Sequence, residues 1–450
     1  MNLVSKYNTA APRYTSYPTV PFWENNLELD QWQQHLSNAF KVANEADGIS
    51  LYIHLPYCES LCTYCACNTR ITVNHKVEEP YIQAVLKEWK MYTGSIHERP
   101  RLKTIHLGGG TPTFFSPNNL HTLISEILKD CNLVHDHDFS FEAHPANTTE
   151  EHLRVLNNLG FTRISFGIQD FDEKVQEAIN RYQSIEEVAT IVNAARRNGY
   201  TSINFDLVYG LPFQKKEGLK ATLEAVIQLH PDRIAYYSYA HVPWIKPGQR
   251  KFTDADVPKE NEKAELAQLG NTLLLKAGYK QIALDHFALD HDALYKAMLN
   301  NRLHRNFMGY TEHPSKLLLA LGVSSISDAG TAFAQNSKTV ESYMEAINGG
   351  RWPFQKGHVL DGNDFLFRKH ILEIMCQMET SWTDSELENN QFSDAISRLR
   401  GLIDDQLITI RGNHLKVTET GRPYLRNICL CFDEYFQSSQ KRENLFSSTT

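Results

Sequence analysis

The stretch Tyr52–Asn68, YIHLPYCESLCTYCACN, decides how this chain is read. Of eight cysteines, Cys58, Cys62, Cys65 and Cys67 fall within ten residues with the spacing C-x3-C-x2-C-x-C, while Cys131, Cys376, Cys429 and Cys431 are scattered. In a long chain, clustering of that kind points to a metal rather than a disulfide framework, and to a reducing compartment. Thiolates so close together on a loop converge on one cubane [4Fe–4S] cluster. Three protein ligands, Cys58, Cys62 and Cys65, leave one iron open for chemistry. A closed zinc site is the alternative, but such sites usually pair two C-x2-C knuckles, and Cys429-Leu-Cys431 has the wrong spacing to be the second. Cys67 is too near Cys65 for an easy fourth ligand, which leaves it proton or electron handling beside a substrate, or local packing.

Outward from this loop, short β-rich runs alternate with helical patterns between Ser50 and Ser238, the mark of βαβ units and a parallel sheet. The runs ISLYIHL, KTIHLGGG, FSFEAHP, TRISFGIQ, TSINFDLVYGLP and DRIAYYSYAH give about six strands. Helical patterns lie between them at Tyr81–Trp89, Asn119–Leu128, Glu150–Leu159, Ile185–Asn198 and Leu219–Gln228. Six units predict an α/β fold built on a partial (β/α)6 TIM-like barrel, with reacting groups at the C-terminal rim of its strands. The cysteines follow the first strand. His106-Leu107-Gly108-Gly109-Gly110-Thr111-Pro112 closes the second, where glycines let backbone approach a ligand closely. Glu142, Gln169, Asp206 and Ala240 stand at later strand ends, and Arg181, after a short helix, is suited to clamp a carboxylate.

Residues 1–48 read as an aromatic, proline-rich arm and a helix at Leu29–Val42, residues 49–350 as the barrel and its extension, and residues 351–450 as a small C-terminal domain. The extension includes a long helix at Lys259–Ala277 and a strand at Gln281–Phe287. Gly349, Gly350, Pro353 and Gly357 mark a linker. Beyond it, helical patterns at Phe365–Cys376 and Phe392–Asp404 precede two β-like runs joined at Gly412-Asn413, a mostly helical, winged-helix-like arrangement. With 42% hydrophobic residues the chain buries a large core, and a net charge of −8 offers no footprint for nucleic acid. No apolar run approaches the roughly 20 residues that span a bilayer, and the N-terminus has no apolar leader, so a cytoplasmic protein is expected.

The C-x3-C-x2-C loop after the first barrel strand resembles that of the radical S-adenosylmethionine superfamily. There the aromatic before the third cysteine, here Tyr64, sits by the cofactor, and the glycine run binds its methionine part. PRYTSYPT, LYIHLPYC with Cys67, GGGTPT, GIQDF, NRYQ, DLVYGLP, YAHVP, LDHFA, LHRNF-x-GYT, LGVSSIS and GRPYLRNICLCFD occur in order along nearly the whole chain. By these segments the chain resembles the oxygen-independent coproporphyrinogen III oxidase (dehydrogenase) family. The resemblance implies oxidative decarboxylation of two propionates of coproporphyrinogen III to vinyl groups by a 5′-deoxyadenosyl radical, giving protoporphyrinogen IX in haem synthesis. It also implies two S-adenosyl-L-methionine molecules, one meeting Tyr52, Gly109, Glu142 and Ile326, the other Tyr64, Gly110, Thr111, Gln169, Arg181, Asp206 and Ala240. An electron donor and an acceptor, neither identified, are required, and a monomer is expected.

Two segments depart from the family pattern. Glu142-Ala143-His144-Pro145-Ala146 replaces E-I-D-P-R and looks more like the related haem chaperones, and Met308 stands where Gln is usual. A haem-binding chaperone of the same superfamily is therefore one alternative, although such relatives typically carry an aromatic in place of Cys67 and lack the arm. A zinc-dependent DNA-binding regulator is the other, and the acidic charge argues against it. The tetracarboxylate substrate calls for basic groups in its pocket, with Arg13, Arg70 and Arg305 as candidates.

Overall fold

The computed structural model describes residues 3–25, 27–439 and 446–447. Six parallel strands form its centre: β1 (Ile49–Leu55), β2 (Arg101–Gly109), β3 (Asn132–Ala143), β4 (Phe161–Gln169), β5 (Ser202–Tyr209) and β6 (Arg233–Ser238). They match the six runs read from sequence. β1, β4, β5 and β6 are rich in β-branched and aromatic residues because both faces are covered, and in β1 all but Tyr52 are buried. Helices α1 (Leu29–Glu45), α2 (Glu78–Ser95), α3 (Pro117–Lys129), α4 (Glu150–Asn158), α5 (Glu173–Ile179), α6 (Ile185–Arg197), α7 (Lys216–Leu229) and α8 (Glu260–Lys276) complete this part. Local signals set several starts. Thr149 and His152 form a reciprocal cap on α4, Ser184 and Glu187 do so on α6, and Asp172 accepts from Lys174 and Val175 amides to open α5.

Among the described residues the sheet extends to twelve strands. Beyond β6 lie β7 (Lys280–Ile282) and β8 (His286–Ala288), an antiparallel pair where the sequence suggests one strand over Gln281–Phe287. The difference arises at Ala283, whose φ of 45° reverses the chain. On the other side β1 pairs in parallel with β9 (Leu318–Leu321), followed by the antiparallel β10 (Ile326–Asp328), β11 (Ala332–Asn336) and β12 (Phe354–Val359). The large sheet thus runs past residue 351, where the sequence suggests a new domain. Gly357 reads as linker but is a strand residue under pressure, since a Cβ there would stand 2.7 Å from Leu27 carbons. A second apolar core gathers around α9 (Gly362–Gln377), α10 (Asn390–Arg398), α11 (Arg400–Asp404) and the three strands β13 (Glu379–Ser381), β14 (Ile408–Arg411) and β15 (His414–Val417). Tyr14 and Tyr17 of the N-terminal arm are buried in that core, which ties the two chain ends together.

The foot of the barrel is closed by charge. Arg233 opens β6 and reaches Asp292 at 2.7 Å and Glu312 at 2.8 Å, while Arg163 of β4 holds Glu312 at 2.6 Å and Asp138 at 3.1 Å. Burial opposes the charge on Glu312, yet the two guanidiniums hold its carboxyl far below the usual carboxylate range. Removing one partner of such a network strands a buried charge. Arg233→Met is therefore expected to destabilise the protein by about 3–5 kcal/mol, read as a fall in the denaturant midpoint.

Candidate active site

Parallel pairing sets the site's geometry. Register places Leu55 opposite Gly109, Glu142 opposite Ser165, and Gly167 opposite Asp206, so consecutive strands deliver polar groups to one rim. The chain leaving β1 is then stitched to the chain leaving β2. Gly110 donates to the Leu55 carbonyl at 2.8 Å and Thr111 to that of Tyr57 at 3.0 Å. Gly110 is glycine because a Cβ would lie 2.5 Å from the Pro56 carbonyl oxygen. Gly109 has φ of 118°, and a Cβ there would strike the His54 ring at 2.8 Å.

The cysteine loop is anchored from beneath and beside. The Thr63 amide and hydroxyl donate to carbonyls of Ile179 and Ala178 on α5 at 3.0 and 2.9 Å, and Asn180 donates to the Leu61 carbonyl at 2.9 Å. Cys58, Cys62 and Cys65 face one pocket of about 590 Å³, with Cys67 in its wall. The Cys58 Sγ lies 3.3 Å from Thr111 Oγ1, and Arg181 Nη1 lies 3.7 Å from Cys62 Sγ. Burial pushes the Cys58 thiol up to about 11 and raises that of Cys62, against the pull of Arg181 on the latter. The hydrogen bond from Cys67 lowers Cys65 to about 7 and raises Cys67.

The same pocket gathers Tyr64, Gly109, Gly110, Thr111, Glu142, Gln169, Arg181 and Asp206. Glu142 accepts from the Gly109 amide at 3.2 Å and faces His106 Nε2 at 3.6 Å; burial works against its charge, but these partners keep its carboxyl below the usual range. Asp206 accepts from Ser165 at 3.1 Å and Asn204 at 2.9 Å, while burial and then Glu142 raise it to about 6. Gln169 sits at a register shift in β4 with φ of 67°, a bulge that re-aims its side chain. The remaining sequence-based candidates stand elsewhere. Tyr52 stacks on His106 at 6.0 Å, behind the glycine run, and its hydroxyl meets His54 Nδ1 at 3.0 Å. Ala240 offers its carbonyl to Gln249 at 3.1 Å, and Ile326 packs against the Trp23–Phe333 cluster; neither lines the pocket.

Of the three arginines expected around the substrate, none lines it. Arg70 pairs with Glu341 at 2.7 Å in the open, and Arg13 and Arg305 lie on a separate cavity behind β6. Conversely, sequence reasoning passed over His144, Ser165 and Tyr237 in the wall. The signal was available for Ser165 and Tyr237, which share strand parity with Gly167 and lie on strands already assigned to the rim. His144 is held neutral, with a pKa lowered to about 3 by burial and then by Arg181, and its Nδ1 accepts from the Ala146 amide at 3.1 Å. Met308 lines the narrower chamber beneath, which shares Glu142, Ser165, Asp206 and Tyr237 with the pocket above.

The donor set suits the expected cofactors. Three thiols line one pocket, a soft donor set that suits iron–sulfur or zinc rather than a hard cation. Arg181 is 9% exposed and its Nε has no partner, a buried donor that suits an anionic group.

A parallel barrel arc with three cysteines after its first strand and a glycine run after its second defines a class, the radical SAM proteins, and the family model "Radical SAM superfamily" matches residues 52–226. Its members use a [4Fe–4S] cluster and S-adenosylmethionine. The chain is 37% identical to the oxygen-independent coproporphyrinogen III oxidase of Pseudomonas aeruginosa, covering 98% of this chain and 97% of that one. It is 34% identical to the Escherichia coli enzyme of the same name, over 98% and 96%. The solved coproporphyrinogen III oxidase of Escherichia coli, described as a radical SAM enzyme, superposes with a TM-score of 0.88 at 33% identity, covering 94% of this chain and 97% of that one. The chain belongs to the oxygen-independent coproporphyrinogen III oxidase family.

Cys62→Ala is expected to lose most bound iron after anaerobic reconstitution, whereas Cys67→Ser keeps the wild-type content. Iron and sulfide analysis distinguishes the two, and iron loss from Cys67→Ser would make Cys67 a ligand.

Proposed function

We propose that this chain decarboxylates two propionate side chains of coproporphyrinogen III to vinyl groups without oxygen, yielding protoporphyrinogen IX. The observation that carries the reading is the convergence of Cys58, Cys62 and Cys65 with Arg181, Glu142, Gln169 and Asp206 on one pocket, in a chain collinear with the named oxidases. Cys58, Cys62 and Cys65 would hold the cluster, leaving one iron for the amino and carboxylate groups of S-adenosylmethionine. When bound, the two cofactors supply one-electron cleavage of the sulfonium bond and so a radical that takes hydrogen from the propionate β-carbon.

The protein's own contribution is orientation. Glu142, fixed by the Gly109 amide on one oxygen and facing His106 with the other, keeps lone pairs for an ammonium or ribose hydroxyl, and Arg181 offers its unpaired Nε to a carboxylate. Two S-adenosylmethionine molecules are what the family resemblance implies, one meeting Gly109 and Glu142 and the other Tyr64, Gln169, Arg181 and Asp206, all of which line the one pocket. Ala240 and Ile326, also implied by the resemblance, stand outside the pocket lining. We further propose a cytoplasmic monomer served by a separate electron donor and acceptor, with its C-terminal domain starting near α9. No helix among the described residues is long and apolar enough to cross a membrane.

Anaerobically reconstituted protein given coproporphyrinogen III, S-adenosylmethionine, a reductant to charge the cluster and a one-electron acceptor for the electron left by each decarboxylation is expected to release carbon dioxide and vinyl product. Stoichiometric haem binding without turnover would overturn the reading. Arg181→Met is expected to weaken S-adenosylmethionine binding at least ~10-fold, the loss of a charge-assisted hydrogen bond, measured by equilibrium dialysis on the cluster-loaded protein.

A further inference from the structure

A second cavity, of about 330 Å³, lies outside the barrel wall, behind β6. Strand alternation separates it from the reaction pocket: Tyr237 turns inward to that pocket, while Tyr236 and Ser238 turn outward to this one. Three parts of the chain enclose it. The N-terminal arm contributes Arg13, the barrel contributes β6 with α8, and the segment after β15 contributes Tyr424 and Arg426.

Its described wall is rich in basic groups. Arg13, Lys263, Arg305 and Arg426 line it, against Asp285 as the single acidic group among the described lining residues. Asp285 is already engaged, with His286 Nδ1 at 2.8 Å. Arg13 donates to the Ser238 carbonyl at 3.0 Å, and Arg305 Nε to the Arg13 carbonyl at 3.3 Å, so Asp285 is the shared counter-charge of both guanidiniums. Arg305 is 5% exposed, its guanidinium lies 4.4 Å from the centre of the Tyr310 ring, and its Nη1 has no partner. A buried guanidinium nitrogen without an acceptor is costly, and a site built this way is completed by an anion. The mutual strain of the cations is visible in Lys263, lowered to about 8 by burial and by Arg426 and Arg13, and in Arg426, lowered to about 9 by burial and Arg13.

The rest of the wall mixes polar Gln268, Asn271 and Gln281 with a larger apolar part. Tyr209 and Tyr236 lie with ring centres 4.7 Å apart, the Tyr236 hydroxyl is spent on the Leu266 carbonyl at 2.7 Å, and Phe287 stands beside them. Since a water's share of liquid volume is about 30 Å³, a bare inorganic anion would leave most of the space wet against aromatic rings.

We propose that this cavity is a binding site, separate from the reaction pocket, for a small organic carboxylate whose head meets Arg305 and Arg13 and whose apolar body lies against Tyr209, Tyr236 and Phe287. The occupant would touch the arm, the barrel and the C-terminal segment at once, so binding would hold the three together.

The probe is benzoate, titrated into cluster-loaded protein by calorimetry, with inorganic phosphate in a parallel arm. Benzoate is expected to bind saturably at one site, with affinity reduced at least ~10-fold in Arg305→Met, which removes one charge-assisted hydrogen bond. Ala267→Phe on α8, which fills the cavity while keeping all four cations, should abolish binding and covers the case in which Arg305→Met fails to fold. Saturating S-adenosylmethionine should leave benzoate affinity unchanged. Absence of saturable binding, unchanged affinity in the folded variants, displacement of benzoate by S-adenosylmethionine, or phosphate binding as tightly as benzoate would each overturn the proposal.

Discussion

The backbone hydrogen bond from Gly110 to the Leu55 carbonyl, at 2.8 Å, holds together the two loops on which everything at the rim depends. It exists because nothing larger than hydrogen fits on Gly110 beside Pro56. With that seam closed, the Thr111 hydroxyl stands beside Cys58 and the Gly109 amide faces Glu142. The cysteine loop is then pinned at its far end by α5 through Thr63, and Arg181, just beyond α5, arrives against Cys62. A few main-chain contacts thus convert the parallel register of six strands into one converging set of side chains.

How much of this was legible in the sequence follows from the range of the forces involved. The six strands and their helices were readable because a fully buried strand must be apolar and a helix start must satisfy its own amides, both local requirements. The three cysteines, the glycine run and Glu142, Gln169, Arg181 and Asp206 were readable for a related reason: strand ends in a parallel sheet share one rim. Arg13 and Arg305 were misplaced because their destination depends on which face of β6 they approach, and that is fixed by the arm's packing into the C-terminal core, hundreds of residues away in sequence. Gly357 misled in the opposite sense, since its reason for being glycine is Leu27, a contact no local pattern reveals.

The departure at Glu142-Ala143-His144-Pro145-Ala146 takes on a physical meaning in the pocket. Where the family pattern has Asp and Arg, this chain has a neutral imidazole turned onto its own loop and a methyl group, so one charge of each sign is missing from the wall. The wall keeps its overall balance of charge with one fewer charge of each sign. Arg181 therefore carries more of the local positive potential.

The ion network at the foot of the barrel, Arg163 and Arg233 with Asp138, Asp292 and Glu312, has a consequence for how substitutions are felt. Charged groups locked to one another fill the end opposite the cysteines, and the chamber containing Met308 ends on them. Stability and chemistry are thereby divided between the two ends of the same strands, so a substitution at the foot is felt as unfolding and one at the rim as altered turnover.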